Sequence, residues 1–326
     1  MNTVKWGIIG CGDVAEVKSG PAFQKVKQSE LIAVMRRDKS KAEDFAKRHN
    51  VPYHFNNADE LLQRNDINAI YIATPPSTHL EYTLMALDAG KDVYLEKPMT
   101  LNFVEAKIIV ETLKNTSSKL TVAHYRRKLP AFVKVKELLT EGAIGKVLSA
   151  DIQILQPKES NIIADTEDNW RLNPEVSGGG YFYDIAPHQI DLMFYYFGAI
   201  KAAFGFSSAD NEIVLVDDIV NGIISFENGV QFRGIWNFIA SEHNQKDECV
   251  IYGANGSVQF SFYGEEVILK NKDGIQVFPF KNPKHVQQPM IAAAVDYFLE
   301  KGKNPCPAED GLLVMQTMEQ LCGRQF

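Results

Sequence analysis

Apolar runs alternate with amphipathic segments over the first 123 residues. Within each apolar run, nearly every position is apolar, without the one-by-one alternation of a half-exposed strand. This is typical of strands that are covered on both faces of a parallel sheet. Five such strands are predicted, at residues 4–9, 31–35, 69–73, 92–95 and 120–123. The amphipathic segments predict helices at residues 39–49, 77–89 and 101–114. We expect Ser77 and Thr78 to cap the second of these helices and Gly90 to end it.

The pattern changes after residue 123, where polar and apolar residues alternate with a period of two. Strands are predicted at residues 147–155, 218–226, 230–238, 248–252, 257–262, 267–270 and 275–280. Turn pairs such as Asn228-Gly229 and Asp273-Gly274 separate several of them, which indicates antiparallel hairpins. Helices are predicted at residues 131–140, after Gly180, and at 287–301 and 311–322.

These patterns predict an α/β protein of two domains. Residues 1–123 are expected to form a doubly wound parallel sheet of the Rossmann type, because strands and helices alternate there. Residues 124–326 are expected to form an α+β domain with a large, mostly antiparallel open sheet, because period-two alternation and hairpin turns follow one another there. A chain of 326 residues has the length of about two domains.

Composition excludes several classes of protein. Hydrophobic residues make up 45% of the chain and charged residues 23%, which is typical of a soluble globular protein. A net charge of −7 argues against nucleic-acid binding, and no apolar run approaches the ~20 residues of a membrane span. Neither a signal peptide nor a metal-ligand spacing is present, and the four cysteines lie far apart. We therefore expect a cytoplasmic protein without a metal site.

A glycine-rich segment follows the first strand. The run Gly10-Cys11-Gly12-Asp13-Val14-Ala15 matches G-x-G-x-x-[GA] between a predicted strand and a helix. The first glycine permits a tight turn, the second lets the main chain approach a pyrophosphate, and the small Ala15 lets the helix pack closely. The segment predicts a dinucleotide site formed by Gly10, Gly12, Asp13, Val14 and Ala15.

The end of the second strand distinguishes NADP from NAD. A carboxylate there binds the adenosine ribose of NAD, but this chain has Arg36 and Arg37, followed by Asp38. Two guanidinium groups suit a 2′-phosphate, so NADP is favoured as the cofactor. The alternative is that the arginines are surface charges and that Asp38 binds the ribose of NAD.

Three further segments carry a resemblance to a known family. They are Ile72-Ala73-Thr74-Pro75-Pro76-Ser77-Thr78-His79, then Glu96-Lys97-Pro98, and then Trp170-Arg171 followed by the stretch from Gly178 to Asp191. Together with the glycine segment they resemble the glucose–fructose oxidoreductase, inositol dehydrogenase and rhizopine catabolism protein family, from residue 4 to about residue 320. Residues 33–46 look most like the NADP-using dihydrodiol dehydrogenase branch.

The resemblance implies hydride exchange at a nicotinamide, with the substrate between the two domains. It implies further cofactor contacts from Thr74, Pro75, Pro76, His79, Glu96, Lys97, Trp170 and Arg171. The alternative for the last two is a core tryptophan and a salt-bridged arginine. Tyr125 and Arg126, just past the predicted strand at residues 120–123, are candidates for the substrate pocket. It also implies that residues 124–326 bind substrate and form a homodimer or homotetramer through the exposed face of the second sheet. We expect Trp236, Phe238, Ile251 and Phe260 to offer apolar surface there; the alternative is that helices cover them.

The residues themselves support proton-transfer chemistry. Lys97 should emerge at the carboxyl end of a strand, where open α/β sheets bind ligands. Asp184 and His188 are four residues apart and share one face of a helix that follows the glycines. We predict that His188 is the general acid/base, that Lys97 stabilises a developing alkoxide and is the alternate proton donor, and that Asp184 orients the hydroxyl or His188. The alternative for His188 is a hydrogen-bonded core histidine. Asp191 is expected to anchor the helix or pair with a basic residue.

The favoured function is an NAD(P)-dependent dehydrogenase that acts on a secondary alcohol or ketone of a sugar, polyol or cyclic diol. One alternative is a glycosidase of the same fold that oxidises a ring carbon transiently with tightly held NAD. Another is a non-catalytic nucleotide sensor, which has no need of the lysine and histidine.

Overall fold

The computed structural model describes residues 2–12, 14–160, 162, 169–210 and 216–324. The chain forms two compact units. The first unit comprises Met1–Arg126 and Pro283–Met315, and the second comprises Arg127–Asn282 and Gln316–Phe326.

Strands and helices alternate in the first part of the chain. They are β1 (Val4–Ile9), α1 (Gly20–Phe23), β2 (Ser29–Met35), α2 (Lys39–His49), β3 (Tyr53–Phe55), α3 (Ala58–Leu62), β4 (Ala69–Ile72), α4 (His79–Asp88), β5 (Asp92–Leu95), α5 (Phe103–Leu113) and β6 (Leu120–Val122). The strands form one parallel sheet in the order β3-β2-β1-β4-β5-β6. Every residue of β4 is buried, so helices cover both faces of the sheet. The predicted doubly wound parallel sheet is confirmed.

The remaining elements belong mainly to a second sheet. They are α6 (Pro130–Thr140), β7 (Val147–Leu155), α7 (Pro174–Ser177), α8 (Tyr181–Phe197), β8 (Ile200–Ser208), β9 (Ile219–Phe226), β10 (Gln231–Asn237), β11 (Lys246–Gly253), β12 (Gly256–Phe260), β13 (Glu266–Asn271) and β14 (Gly274–Pro279), followed by α9 (Gln288–Phe298) and α10 (Ala308–Leu321). The sheet has the order β14-β13-β12-β11-β7-β10-β9-β8. Only the β7–β10 pair is parallel among these described strands, so the predicted large, mostly antiparallel sheet is confirmed.

Several local predictions need correction. The pattern did not reveal β3, α3 or β8, because β3 has three residues and follows Pro52, and β8 exposes its phenylalanines. The α4 helix starts at His79 rather than Ser77, since Pro76–Thr78 form a 3₁₀ turn in which the Thr78 hydroxyl donates to the carbonyl of Pro75. Gly90 follows the end of α4 with φ of 67°, as predicted.

The segment Pro283–Met315 lies in the first unit, whereas the sequence assigned all of 124–326 to the second domain. Its helix α9 buries Ile291 and Phe298, and the Phe298 ring lies 5.6 Å from that of Trp6 in β1. Further along, the carbonyl of Cys306 accepts from the main-chain N–H of Val122 in β6. These contacts join residues far apart in sequence, so local patterning does not reveal them.

One face of the second sheet is covered by α6 and α8. Phe182 and Phe194 of α8 pack against Trp236 and Phe226, and Phe132 of α6 packs against Phe260. The four residues expected to be exposed, Trp236, Phe238, Ile251 and Phe260, are at most 3% exposed. That prediction was wrong, because a period-two pattern identifies two faces but does not say which one is covered.

Candidate active site

The glycine segment makes a tight turn at the carboxyl end of β1. Gly10 has φ of 94°, and a Cβ atom there would lie 2.8 Å from the main-chain carbon and oxygen of Ala73. Its N–H donates to the carbonyl of Met35, which ties the turn to the end of β2. At Gly12 a Cβ atom would meet no heavy atom within 4 Å, so the main chain there has open space beside it. Only glycine suits the first position, and the second leaves room for a ligand group.

The other residues of this segment follow the turn. Val14 has helical backbone angles, and the fully buried Ala15 begins a helical segment at Ala15–Ser19. Asp13 lies outside the described residues. Burial raises the pKa of the Cys11 thiol to about 11, which keeps the thiol protonated at neutral pH and agrees with a packing role.

Three loops emerge at the same edge of the first sheet because β1, β4 and β5 are neighbours and parallel. The first loop is the glycine turn after β1. The second, after β4, contains Thr74, Pro75 and Pro76, of which Pro76 is buried and the others are half-buried. The third contains Glu96 and Lys97. At the usual strand spacing, Lys97 emerges about 10 Å from the glycine turn.

His79 lies beneath these loops rather than on their surface. It is fully buried, and its ring nitrogens Nδ1 and Nε2 lie 2.9 Å and 2.8 Å from the carbonyl oxygens of Pro98 and Thr74. Burial lowers the pKa of His79 below its usual range. His79 therefore joins the second loop to the third, and its ring, from which a cofactor contact was expected, has no exposed surface.

Glu96 is also buried, whereas Lys97 is half-buried. The Glu96 carboxylate accepts hydrogen bonds from the Tyr71 hydroxyl, the Gln287 amide and the main-chain N–H of Lys97. Tyr71 and Gln287 were not found by sequence analysis, because nothing in the local pattern distinguishes them from core residues. The peptide bond between Lys97 and Pro98 is cis.

The residues after β2 have distinct environments. Arg36 is half-buried and Arg37 is exposed, and the charge of Arg36 acts on Cys11 in the glycine turn. Asp38 caps α2, since its Oδ1 atom accepts from the main-chain N–H and the hydroxyl of Ser40 at 2.9 Å and 2.6 Å. These bonds lower the pKa of Asp38. The capping role explains why a carboxylate is present at Asp38 even if it does not bind the ribose of a cofactor.

In the second unit, the turn before α8 requires its glycines for packing. Gly178 and Gly180 have φ of 92° and 79°. A Cβ atom at Gly179 would lie 2.6 Å from an oxygen of Asp217, and one at Gly180 would lie 2.7 Å from Cβ of Val216. The run thus fits closely against other residues of its own unit.

Asp184 and His188 lie on α8 as predicted, in its first half. Asp184 accepts from Arg171 at 2.7 Å, and the Arg171 guanidinium lies 4.6 Å from the centre of the Trp170 ring. Arg171 is 4% exposed and His188 is 3% exposed. Arg171, expected near the nicotinamide, therefore also holds the carboxylate of Asp184.

Asp191 pairs with Arg127 through Nη2 at 2.7 Å and Nε at 2.9 Å, which confirms the expected basic partner. Tyr125 and Arg126, the candidates for substrate contact, lie in the first unit and are 6% and 5% exposed. Within the described ranges, no group of three or more His, Cys, Asp or Glu could hold a metal ion. None of the described helices is long and apolar enough to cross a membrane.

Comparison with known proteins identifies the family. The profile "Oxidoreductase family, NAD-binding Rossmann fold" matches residues 4–124, and the "GFO/IDH/MocA C-terminal domain" matches residues 132–259. The chain belongs to the Gfo/Idh/MocA family. The predicted resemblance and the expectation of an NAD(P)-dependent oxidoreductase are thereby confirmed.

Three relatives illustrate the range of this family. Oxidoreductase P35 of Formosa agariphila is 54% identical over 98% of each chain. D-xylose 1-dehydrogenase (NADP(+)) of Hypocrea jecorina is 33% identical over 54% of this chain and 49% of its own. A solved structure of levoglucosan dehydrogenase with NADH and levoglucosan has a TM-score of 0.86 at 22% identity, and the match covers 98% of this chain and 96% of that one. The last comparison establishes the shared fold.

The residues present in the first unit fit a dinucleotide. The glycine turn leaves open space beside the main chain of Gly12. At the same edge of the sheet, Arg36 and Arg37 follow β2, which is adjacent to β1, and Lys97 follows β5, which is two strands away. These features provide space for a pyrophosphate and positive charge for its neighbours.

Proposed function

We propose that this Gfo/Idh/MocA protein transfers a hydride between NADP and a secondary alcohol or ketone of a sugar, polyol or cyclic diol. The observation that carries the proposal is the half-buried Lys97 at the carboxyl end of β5, at the same sheet edge as the glycine turn. A sugar dehydrogenase among the relatives, D-xylose 1-dehydrogenase (NADP(+)), supports the substrate class and the cofactor.

The cofactor would be held by the glycine turn with Asp13, Val14 and Ala15, by Thr74, Pro75 and Pro76, and by Glu96 and Lys97. His79 supports these loops from below. Arg36 and Arg37 would bind a 2′-phosphate, since Asp38 is engaged as the cap of α2. Trp170 and Arg171 would contact the nicotinamide half.

A bound nicotinamide supplies the hydride acceptor or donor. Side chains of the protein accept or donate the proton of the substrate hydroxyl. His188 takes that proton in the oxidation direction, and the Lys97 ammonium stabilises the negative charge that develops on the oxygen. Asp184, held by Arg171, orients the hydroxyl, and Tyr125 and Arg126 complete the substrate contacts.

We also propose a homodimer or homotetramer through the open face of the second sheet. The side chains there differ from those predicted: Phe204, Phe206, Ile223, Ile275 and Val277 are 50–69% exposed. Strand register places Phe204, Ile223, Arg233, Asp151, Val250, Gln259, Ile268 and Val277 in one row across the sheet. Eight strands span about 34 Å, which is wide enough for a stable interface.

The function is tested with Lys97→Ala and His188→Ala, each assayed with NADPH and NADH against a panel of sugars and diols. We expect turnover to fall by about a hundredfold or more while cofactor affinity, measured by fluorescence titration, stays within about tenfold. Lys107→Ala and His243→Ala are matched controls, since both side chains are exposed.

Near-normal turnover of both active-site variants would remove the catalytic assignment. Product formation without net reduced cofactor would favour the transient-oxidation glycosidase. Failure of the wild-type protein to bind either cofactor would contradict the proposed function.

A further inference from the structure

The carboxylate of Glu96 is buried directly beneath the loop that carries Lys97. Its Oε1 atom accepts from the Tyr71 hydroxyl and from the Gln287 amide nitrogen, each at 2.5 Å. Its Oε2 atom accepts from the main-chain N–H of Lys97 at 3.1 Å. The carboxylate therefore links the lysine main chain to two donors in the core of the first unit.

Gln287 is fixed in a single orientation. It is fully buried just before α9, and its main-chain N–H donates to the carbonyl of Lys18 at 3.3 Å. Its Oε1 atom accepts from the Tyr94 hydroxyl at 3.0 Å. Because the Glu96 carboxylate can only accept, the amide nitrogen must face it, which leaves the amide oxygen to accept from Tyr94.

The groups around Glu96 keep it in this arrangement. Burial, followed by the nearby charge of Glu96, raises the pKa of both Tyr71 and Tyr94 well above the usual value. Both hydroxyls therefore remain protonated donors at neutral pH. Glu96 also acts on His79 of α4, which holds the main chain of Pro98 in the same loop.

We propose that Gln287 is a positioning residue for Lys97. It fixes Glu96 in the core, and Glu96 fixes the main chain from which the lysine extends. Its effect on turnover rests on the catalytic role proposed above for Lys97, whereas its effect on the position of Lys97 does not. The interaction joins residues 191 positions apart in sequence.

Gln287→Glu tests this proposal because it replaces the donor with a second carboxylate that faces Oε1 of Glu96. Two carboxylates this close share a proton at low pH, and the shared proton restores a hydrogen bond. At high pH both are ionised and repel each other, which displaces Glu96 and adds negative charge near Lys97. The carboxylate pair in this variant has a raised apparent pKa. The loss of turnover therefore appears as the pH rises through that pKa and disappears as the pH falls below it.

The first readout is the reactivity of Lys97 with acetic anhydride, followed by mass spectrometry across a pH series. In Gln287→Glu, added negative charge favours the ammonium form, so the labelling curve of Lys97 shifts to higher pH by about half a unit or more. The second readout is turnover, which falls about tenfold at pH 8 and recovers toward pH 5.5, with cofactor affinity within about threefold. Gln288→Glu is the matched control, since it makes the same change at the next, half-buried residue.

An unchanged Lys97 labelling curve in Gln287→Glu, or an equal shift in Gln288→Glu, overturns the proposal. If Gln287→Glu does not fold, Gln287→Met is measured instead. It removes the donor without adding charge, and we expect turnover to fall about tenfold with no recovery in acid. Normal turnover and labelling in Gln287→Met also overturn the proposal. A labelling shift in a protein whose Lys97→Ala variant is fully active would retain the positioning role and reject the proposed function.

Discussion

Two side chains after β2 determine the cofactor preference in our proposal. Arg36 is half-buried and Arg37 is exposed, and both follow the strand whose end lies beside the glycine turn. A carboxylate in the place of Arg36 would repel a 2′-phosphate, whereas a guanidinium can bind it with two hydrogen bonds. The third residue, Asp38, caps a helix, so its presence does not by itself indicate NAD.

We predict that Arg36→Ala combined with Arg37→Ala weakens NADPH binding by about ten- to a hundredfold, because charge-assisted hydrogen bonds contribute about 1.5–3 kcal/mol. NADH binding should change less than about threefold. Fluorescence titration with each cofactor measures both constants. Lys47→Ala, an exposed site at the other end of α2, controls for the loss of positive charge. Equal losses for NADPH and NADH would contradict the phosphate-binding role.

At the scale of an element, α8 presents the proposed catalytic side chains from a rigid, almost completely buried helix. Its anchor is the ion pair of Asp191 with Arg127, whose side chains are 1% and 5% exposed. A buried pair stabilises little compared with an apolar pair, but breaking it leaves a buried charge without that partner. The carboxylate at Asp191 therefore ties α8 to Arg127 within the second unit.

We expect Asp191→Asn to lower the free energy of unfolding by about 3–5 kcal/mol, measured by urea denaturation. The double variant Arg127→Met/Asp191→Leu should lose less, because it removes both charges. Asp44→Asn breaks an exposed pair with Arg48 and should cost less than about 1 kcal/mol. A loss in Asp191→Asn no larger than in Asp44→Asn would show that the buried pair is not the anchor.

At the scale of the molecule, the open face of the second sheet carries exposed apolar side chains that the proposed chemistry does not use. Apolar side chains lie toward both edges, and the Arg233–Asp151 ion pair joins β10 and β7 between those edges. A two-fold axis through such a face would bring each apolar edge onto its counterpart or onto the other edge. Size and apolar exposure together favour association with a second copy.

We predict that Phe206→Lys combined with Ile223→Lys converts the protein to a monomer in light scattering after gel filtration. A buried, unpaired lysine at the interface is unfavourable, whereas on a monomer surface it is solvated. Val104→Lys is the control, since this 62% exposed apolar residue lies on α5. A monomeric wild-type protein at about 10 µM, or dissociation by the control, would contradict the assembly.

The sequence by itself determined the features that depend on neighbours along the chain. Periodicity gave the parallel strands and the hairpins of the second sheet, because each pattern reflects burial within one element. The glycine turn and the Lys97 strand end followed from the rule that ligands bind at the carboxyl ends of parallel strands. Asp184 and His188 followed from helical spacing.

Only the tertiary structure decided which groups meet across long separations. It placed Pro283–Met315 in the first unit, brought Gln287 to Glu96 and paired Arg171 with Asp184. It also reversed the predicted exposure of Trp236 and its neighbours, because the helices that cover a sheet select its buried face. A hydrogen bond or a packed face depends on three-dimensional proximity, and that proximity leaves no periodic trace in the sequence.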